Sequence, residues 1–253
     1  MTDDESTVSL CWKCQVKTRH KITEGRSGAL ERCAVCKNVL RVARPASVTV
    51  HDLTANEVRL VELRMRPGAV SQAGFLDPTE SLVAVTRSDD TTLRALGVTH
   101  SQVASRIQRL IGKAKATVER QVKLQEPGTA EIRRIIAAYN MLGEDPRSDS
   151  EKRGPGIRVD EFEVWSHLYN GWQGCPFFLD GDVGRLSTAD TCGDSDRDWI
   201  VRNTVLNDEI FFSELIIHLL RHHQFCEGHT EYRLDPARTV RVLRIGEVEG
   251  SHQ

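Results

Sequence analysis

Apolar residues recur at helical spacing through the middle of the chain. Thr54-Ala55-Asn56-Glu57 has the form of a capping box, a hydroxyl at the N-cap with a glutamate three residues on. Val58, Val61 and Met65 continue it as one apolar face until Pro67-Gly68 stops the helix. Two short helical stretches are expected near 79–86 and 90–96. The strongest pattern follows. Thr99 and Gln102 make a second box, and Val103, Ile107, Leu110, Ile111, Ala114, Val118 and Val122 recur at three- and four-residue steps up to Glu126-Pro127-Gly128. Ala130 to Leu142 makes another amphipathic helix through Ile132, Ile135, Ile136 and Tyr139.

The periodicity then stops. Residues 143–156 hold turn formers and charge without an apolar anchor, which predicts a linker. Beyond it, 157–248 mixes aromatic-rich segments, an acidic loop around Asp180 to Asp198, a helix near 208–223 and a closing strand from Thr239 to Ile245. That mixture predicts a separate α+β unit after a helical unit over 51–142.

Composition narrows the partners. Over 253 residues the formal charge is −2, with 39% hydrophobic and 28% charged residues, so any surface for a polyanion has to be local. No apolar run reaches the roughly 18 residues of a membrane span, since His218 and Arg221 break the longest one. The acidic first ten residues, expected to be a disordered tail, lack a secretory pattern, so a cytoplasmic, reducing location is expected.

In such a compartment, closely paired cysteines point to metal rather than to disulfides. Cys11-Trp12-Lys13-Cys14 and Cys33-Ala34-Val35-Cys36 are two such pairs, each a tight turn that aims two thiolates at one ion. Between them, Val16 to Ile22 and Ala29 to Arg32 read as strands around a Glu24–Gly28 turn. Residues 11–41 resemble a zinc ribbon of transcription and translation factors. The resemblance implies one structural zinc on Cys11, Cys14, Cys33 and Cys36, in a unit reaching to about residue 45, and makes the expected fold α+β and multidomain. Nine basic residues, among them Lys13, Lys17, Arg19, Lys21, Arg26 and Arg32, stand against Glu24 and Glu31 over 11–44. With Trp12 and His20 interleaved, they can neutralise phosphates and stack a base. A small domain short of apolar area also exposes charge for its own reasons.

Thr91 to Ile111 places a short helix, Gly97 and a second helix in the order of a bacterial helix-turn-helix, which the segment resembles. The resemblance implies that Thr99, His100, Ser101, Gln102 and Ser105 read bases while Arg106 and Arg109 hold phosphates. An ordinary helical hairpin has the same pattern.

In the C-terminal third, His218 and His222 lie four apart on an expected helix and so share a face, with Cys226 and His229 just beyond. Cys175 or Cys192 can complete a second metal site with them, while a rim-of-core role for the histidines is the bland alternative. Leu219-Leu220-Arg221 between the histidines supplies no glutamate base for a metalloprotease. Neither Asp180-Gly181-Asp182 nor Asp194-Ser195-Asp196 continues as a calcium loop. No catalytic motif occurs. The leading expectation is therefore a non-enzymatic, zinc-binding, nucleic-acid-associated protein, with DNA favoured over RNA and a transcriptional regulator as the concrete form. A zinc-stabilised protein–protein adaptor is the alternative, and a metal-dependent hydrolase using the C-terminal histidines the third reading.

Overall fold

The computed structural model describes residues 8–10, 17–25, 28–33, 39–42, 48–124, 129–140, 153–177 and 194–246. Near the N-terminus, strands β1 (Val8–Leu10), β2 (Lys17–Gly25), β3 (Gly28–Cys33) and β4 (Val39–Val42) pair antiparallel in chain order. Of the expected ribbon ligands, Cys11, Cys14 and Cys36 lie outside the described residues, and Cys33 is described only as the end of β3. Lys13 and Arg26 also lie outside them, and Lys17, Arg19, Lys21 and Arg32 are described only as backbone in β2 and β3.

Helix α1 (Ala55–Met65) opens on the expected box: Thr54 N donates to Glu57 Oε2 at 2.9 Å and Glu57 N to Thr54 Oγ1 at 3.3 Å. The chain then folds back so that Phe75 N and Leu76 N both donate to Met65 O. Helix α2 runs unbroken over Leu82–Ala95, where the sequence predicted two pieces. The carboxylates of Asp89 and Asp90, inside this helix, have partners from elsewhere in the fold. Arg233 meets buried Asp89 at 2.6 Å, and His51 and His100 face Asp90 at 3.4 and 3.7 Å. Gly97, with φ +68°, turns the chain into α3 (His100–Leu124). Thr99 and Gln102 form the second box, with Thr99 N donating to Gln102 Oε1 at 2.7 Å. Helix α4 (Ala130–Tyr139) follows.

The remaining strands form one antiparallel sheet in chain order: β5 (Ile157–Val159), β6 (Phe162–Gly174), β7 (Asp194–Asn203) and β8 (Asp208–Ser213). Two sequence expectations are corrected here. Asp194, Asp196 and Asp198 belong to β7 rather than to a loop, and 208–213 is strand, with helix only after it. Trp199, Ile200 and Val201 are all buried, and burial on both sheet faces outweighs the turn-forming aspartates. A third correction concerns 239–245. A strand was expected from Thr239 to Ile245, where Val240 and Val242 alternate with polar residues, yet Pro236–Val242 is helix α6, capped by Asp235 accepting from Arg238 N at 2.7 Å with Pro236 at its start.

Helices and sheet share one buried cluster that runs from Val50 to Leu243, with Phe75, Ile107, Phe162, Trp199, Phe212 and Phe225 among its largest members. Polar ties fix the layers. Arg197 donates to Tyr139 O at 2.7 Å and Ser166 Oγ at 2.6 Å, joining α4 to the sheet. Glu214 accepts from Lys115 Nζ of α3 at 2.7 Å and from Trp199 Nε1 at 2.8 Å. This pins the segment that leads into the histidines. The fold is mixed α+β, and no described helix is long and apolar enough to cross a membrane.

Candidate metal centre

After Ser213 the chain makes a single α-helical turn, α5 (Ile216–His218), and then widens into a π-helical turn over Leu219–His223. Gln224 N donates back five residues to Leu219 O, and Gln224 itself takes a left-handed φ of 53° that ends the helix. In a π-turn the residue stacked near position i is i+5 rather than i+4. His223, and not His222, therefore comes to His218.

Their Nε2 atoms stand 3.1 Å apart, and Cys175 Sγ stands 3.3 Å from His223 Nε2. Cys175 follows the end of β6, where Arg64 Nε donates to the next carbonyl, Pro176 O, at 3.0 Å. The other ring nitrogen of His223, Nδ1, is 2.7 Å from Val48 O. A carbonyl only accepts, so Nδ1 carries a proton, and Nε2 faces the cysteine and His218. Cys175 and His223 are buried and His218 is half-buried. Phe177 stacks flat on His223 with centroids 4.2 Å apart and meets Phe225 edge-on at 5.7 Å, so apolar rings close this side.

Among the described residues, Cys175, His218 and His223 are the group of three ligand-type side chains whose donor atoms all lie within 4.8 Å of one another. One thiol and two imidazoles form a soft-to-borderline donor set, and the outward bond from a ligating ring to a backbone carbonyl is the usual way its tautomer is held. The arrangement can hold a metal ion.

Of the four residues named from sequence for this region, only His218 belongs to the cluster. The His222 ring lies 4.9 Å from that of His218 and 6.5 Å from that of His223, on the half-buried rim. Cys226 is buried elsewhere, and burial, aided by Asp89, pushes its thiol well above the usual range, which disfavours the thiolate a metal needs. His229 has a side chain 78% exposed and is hydrogen-bonded to Glu80 through Nδ1. Cys192 lies outside the described residues. Sequence reasoning missed His223. Its signal was present in the Arg221-His222-His223 run, but an assumed α-helical period selects the wrong histidine.

The helix-turn-helix residues separate in the same way. Thr99 and Gln102 cap α3 with their side chains. His100 is 7% exposed and faces Asp90, and its pKa is lowered by burial against the opposing pull of that carboxylate. Arg106 Nε donates to Leu243 O at 3.1 Å, with its guanidinium 5.5 Å from the centre of the Phe162 ring. Ser101 and Arg109 are exposed and Ser105 half-exposed.

Fold and site together define an α+β protein with a buried Cys–His–His cluster of metal-ligand type. No family model matches the chain, and no curated protein or solved structure does so either.

Proposed function

We propose that this is a zinc protein whose Cys175–His218–His223 centre holds one ion that ties the end of β6 to the π-helical turn. The observation that carries the reading is the orientation of His223. With a proton on Nδ1 directed at Val48 O, the neutral form of the ring has one Nε2 lone pair, placed 3.3 Å from Cys175 Sγ and 3.1 Å from His218 Nε2. A cation at the centre of the three donors engages all of them at once. Zinc bonds of about 2.0–2.1 Å to nitrogen and 2.3 Å to sulfur set tetrahedral edges of roughly 3.3–3.6 Å. The observed separations of 3.1 and 3.3 Å lie within a few tenths of an ångström of those edges. Thiolate and imidazole ligands favour zinc over the oxygen-seeking cations.

The N-terminal Cys11, Cys14, Cys33 and Cys36 supply a second, ribbon-type zinc in the same proposal. Elemental analysis should then return two zinc ions per chain. Replacing His223 with alanine should remove one of them and replacing Cys11 with serine the other. A His223→Ala protein that is folded and keeps both ions would sink the internal centre. Cobalt substitution adds an independent readout, because a cysteine ligand gives a thiolate-to-cobalt charge-transfer band that Cys175→Ser should abolish at this site alone.

Association with nucleic acid, DNA before RNA, is the second reading. The helix pair α2–Gly97–α3 favours it, because it leaves Ser101, Ser105 and Arg109 at the surface beside the start of α3. Salt-dependent binding to random duplex DNA tests it, and binding that does not weaken with salt counts against it.

A further inference from the structure

His223 joins the candidate centre to a segment 175 residues earlier in the chain. Its Nδ1 lies 2.7 Å from Val48 O while its Nε2 faces Cys175 and His218. Val48 opens a short stretch, residues 48–53, that lies between β4 and α1 and carries the chain from the N-terminal strands into the helical half of the fold.

This stretch is built as a strap on the core. Thr49 donates from both N and Oγ1 to Asp52 Oδ2, at 2.8 Å each, and Asp52 N donates back to Thr49 O at 3.0 Å, closing one 3₁₀ turn over Val50–Asp52. Val50 is 4% exposed and belongs to the buried cluster, and His51 faces Asp90 of α2 at 3.4 Å. These contacts hold the middle of the strap. His223 holds its head, at the carbonyl of Val48.

We infer that residues 48–53 form a metal-dependent strap: an ion bound by Cys175, His218 and His223 tightens the hold of His223 on Val48, and the docked strap in turn tightens the ion. This rests on the zinc reading above and adds to it the regulation of the same centre.

The coupling runs through the two nitrogens of one ring. A metal takes the lone pair of Nε2, which leaves the proton of the neutral ring on Nδ1, the nitrogen that faces Val48 O. The other tautomer carries its proton on Nε2 and turns a lone pair from Nδ1 toward the carbonyl oxygen, where the two repel. The docked strap therefore selects the tautomer that binds metal, and the metal selects the tautomer that binds the strap. Two partners that favour the same state of a shared group raise each other's affinity by the same factor. Polarisation acts in the same direction, because a ring bonded to a carbonyl is a more basic ligand. Loading of the centre thus governs the point at which the chain from β4 is fixed to the core.

The test uses the full chain with cobalt in place of zinc, so that the thiolate band lost in Cys175→Ser reports this centre alone. Asp52→Ala removes both bonds from Thr49 to an exposed carboxylate without touching a ligand, and Gln102→Ala removes the matching box at the start of α3 as a control. We expect Asp52→Ala to bind the ion about tenfold more weakly, the low end of what loss of an outer support costs a metal site, and Gln102→Ala to match wild type. Amide hydrogen exchange supplies the reciprocal arm. Asp52 N and Leu53 N, both bonded within the strap, should exchange several-fold more slowly relative to α4 when the centre is loaded, and His223→Ala should abolish that difference.

If the cobalt band forms but neither the affinity of Asp52→Ala nor the exchange of the strap amides changes, the zinc reading stands and the strap is wrong. If no band that depends on Cys175 forms in the wild type, the zinc reading itself fails and the strap falls with it.

Discussion

His218 and His223 face each other with Nε2 atoms 3.1 Å apart because the chain between them turns as a π-helix, and Val48 O holds the far side of the second ring. An α-helical turn would have set His222 in that place. The two neighbouring histidines should therefore behave differently. If the cluster holds zinc as proposed, His222→Ala is expected to retain that ion and His223→Ala to lose it, as read by zinc content after dialysis. Loss in His222→Ala with retention in His223→Ala would mean that the helix is α-helical in solution.

The buried pair between Asp89 and Arg233 makes a stability prediction. Desolvation raises the Asp89 pKa, and the Arg233 bond at 2.6 Å opposes that shift. Removing the cation leaves a buried carboxylate without its partner. Arg233→Ala is expected to cost about 3 kcal/mol in urea unfolding, and Asp89→Asn in the same background to recover part of it. Additive losses in the two single variants would show that the pair is not coupled.

Glu227 predicts a pH dependence. It is fully buried, and burial raises its pKa to about 8 in spite of a bond from Thr230. Below the ordinary glutamate range, both folded and unfolded chains hold the proton and stability is unaffected. Between that range and about 8 the unfolded chain is ionised while the folded one stays protonated, so stability falls as pH rises. The expected slope is about 1 kcal/mol per pH unit, flattening above the folded value. Glu227→Gln should flatten that limb of the curve, and an unchanged slope would assign the dependence to another group.

Gly74 has φ +74°, and a Cβ there would stand 2.7 Å from Pro67 N and 2.9 Å from Met65 O. Both atoms are backbone at the end of α1 and cannot yield as a flexible side chain would. Gly74→Ala should destabilise the fold by about 2 kcal/mol, whereas Gly68→Ala, in open space, should cost no more than its φ of +82° demands, about 1 kcal/mol. Thermal melts of the two variants compare them directly.

The helical half of the fold was largely legible in the sequence, because its signals are local. Thr54–Glu57 and Thr99–Gln102 set helix starts through bonds between residues three apart, and both boxes are present. The errors arose where distant residues decide. Asp89 sits inside α2 because Arg233 is there to meet it. Val240 and Val242 alternate like a strand, but the Asp235–Pro236 start, itself visible in the sequence, prevails. Around the candidate site, Cys175 and His218 could be named in advance, since residue type and rough spacing suffice for that. His223 could not be chosen over His222, because helix winding at that point is not a property of the local sequence alone.

The sequence by itself determined the ligand-type residues, the capped helices and the near-neutral balance of charge, all of which depend on residue identity or on neighbours within one turn. Tertiary structure alone decided which histidine meets Cys175 and which carboxylates are buried. It also decided that Arg106 meets Leu243 O across 137 positions of chain. These pairings are long-range: packing of α3 and α6 against one sheet fixes them, and no local periodicity encodes which distant side chain will arrive.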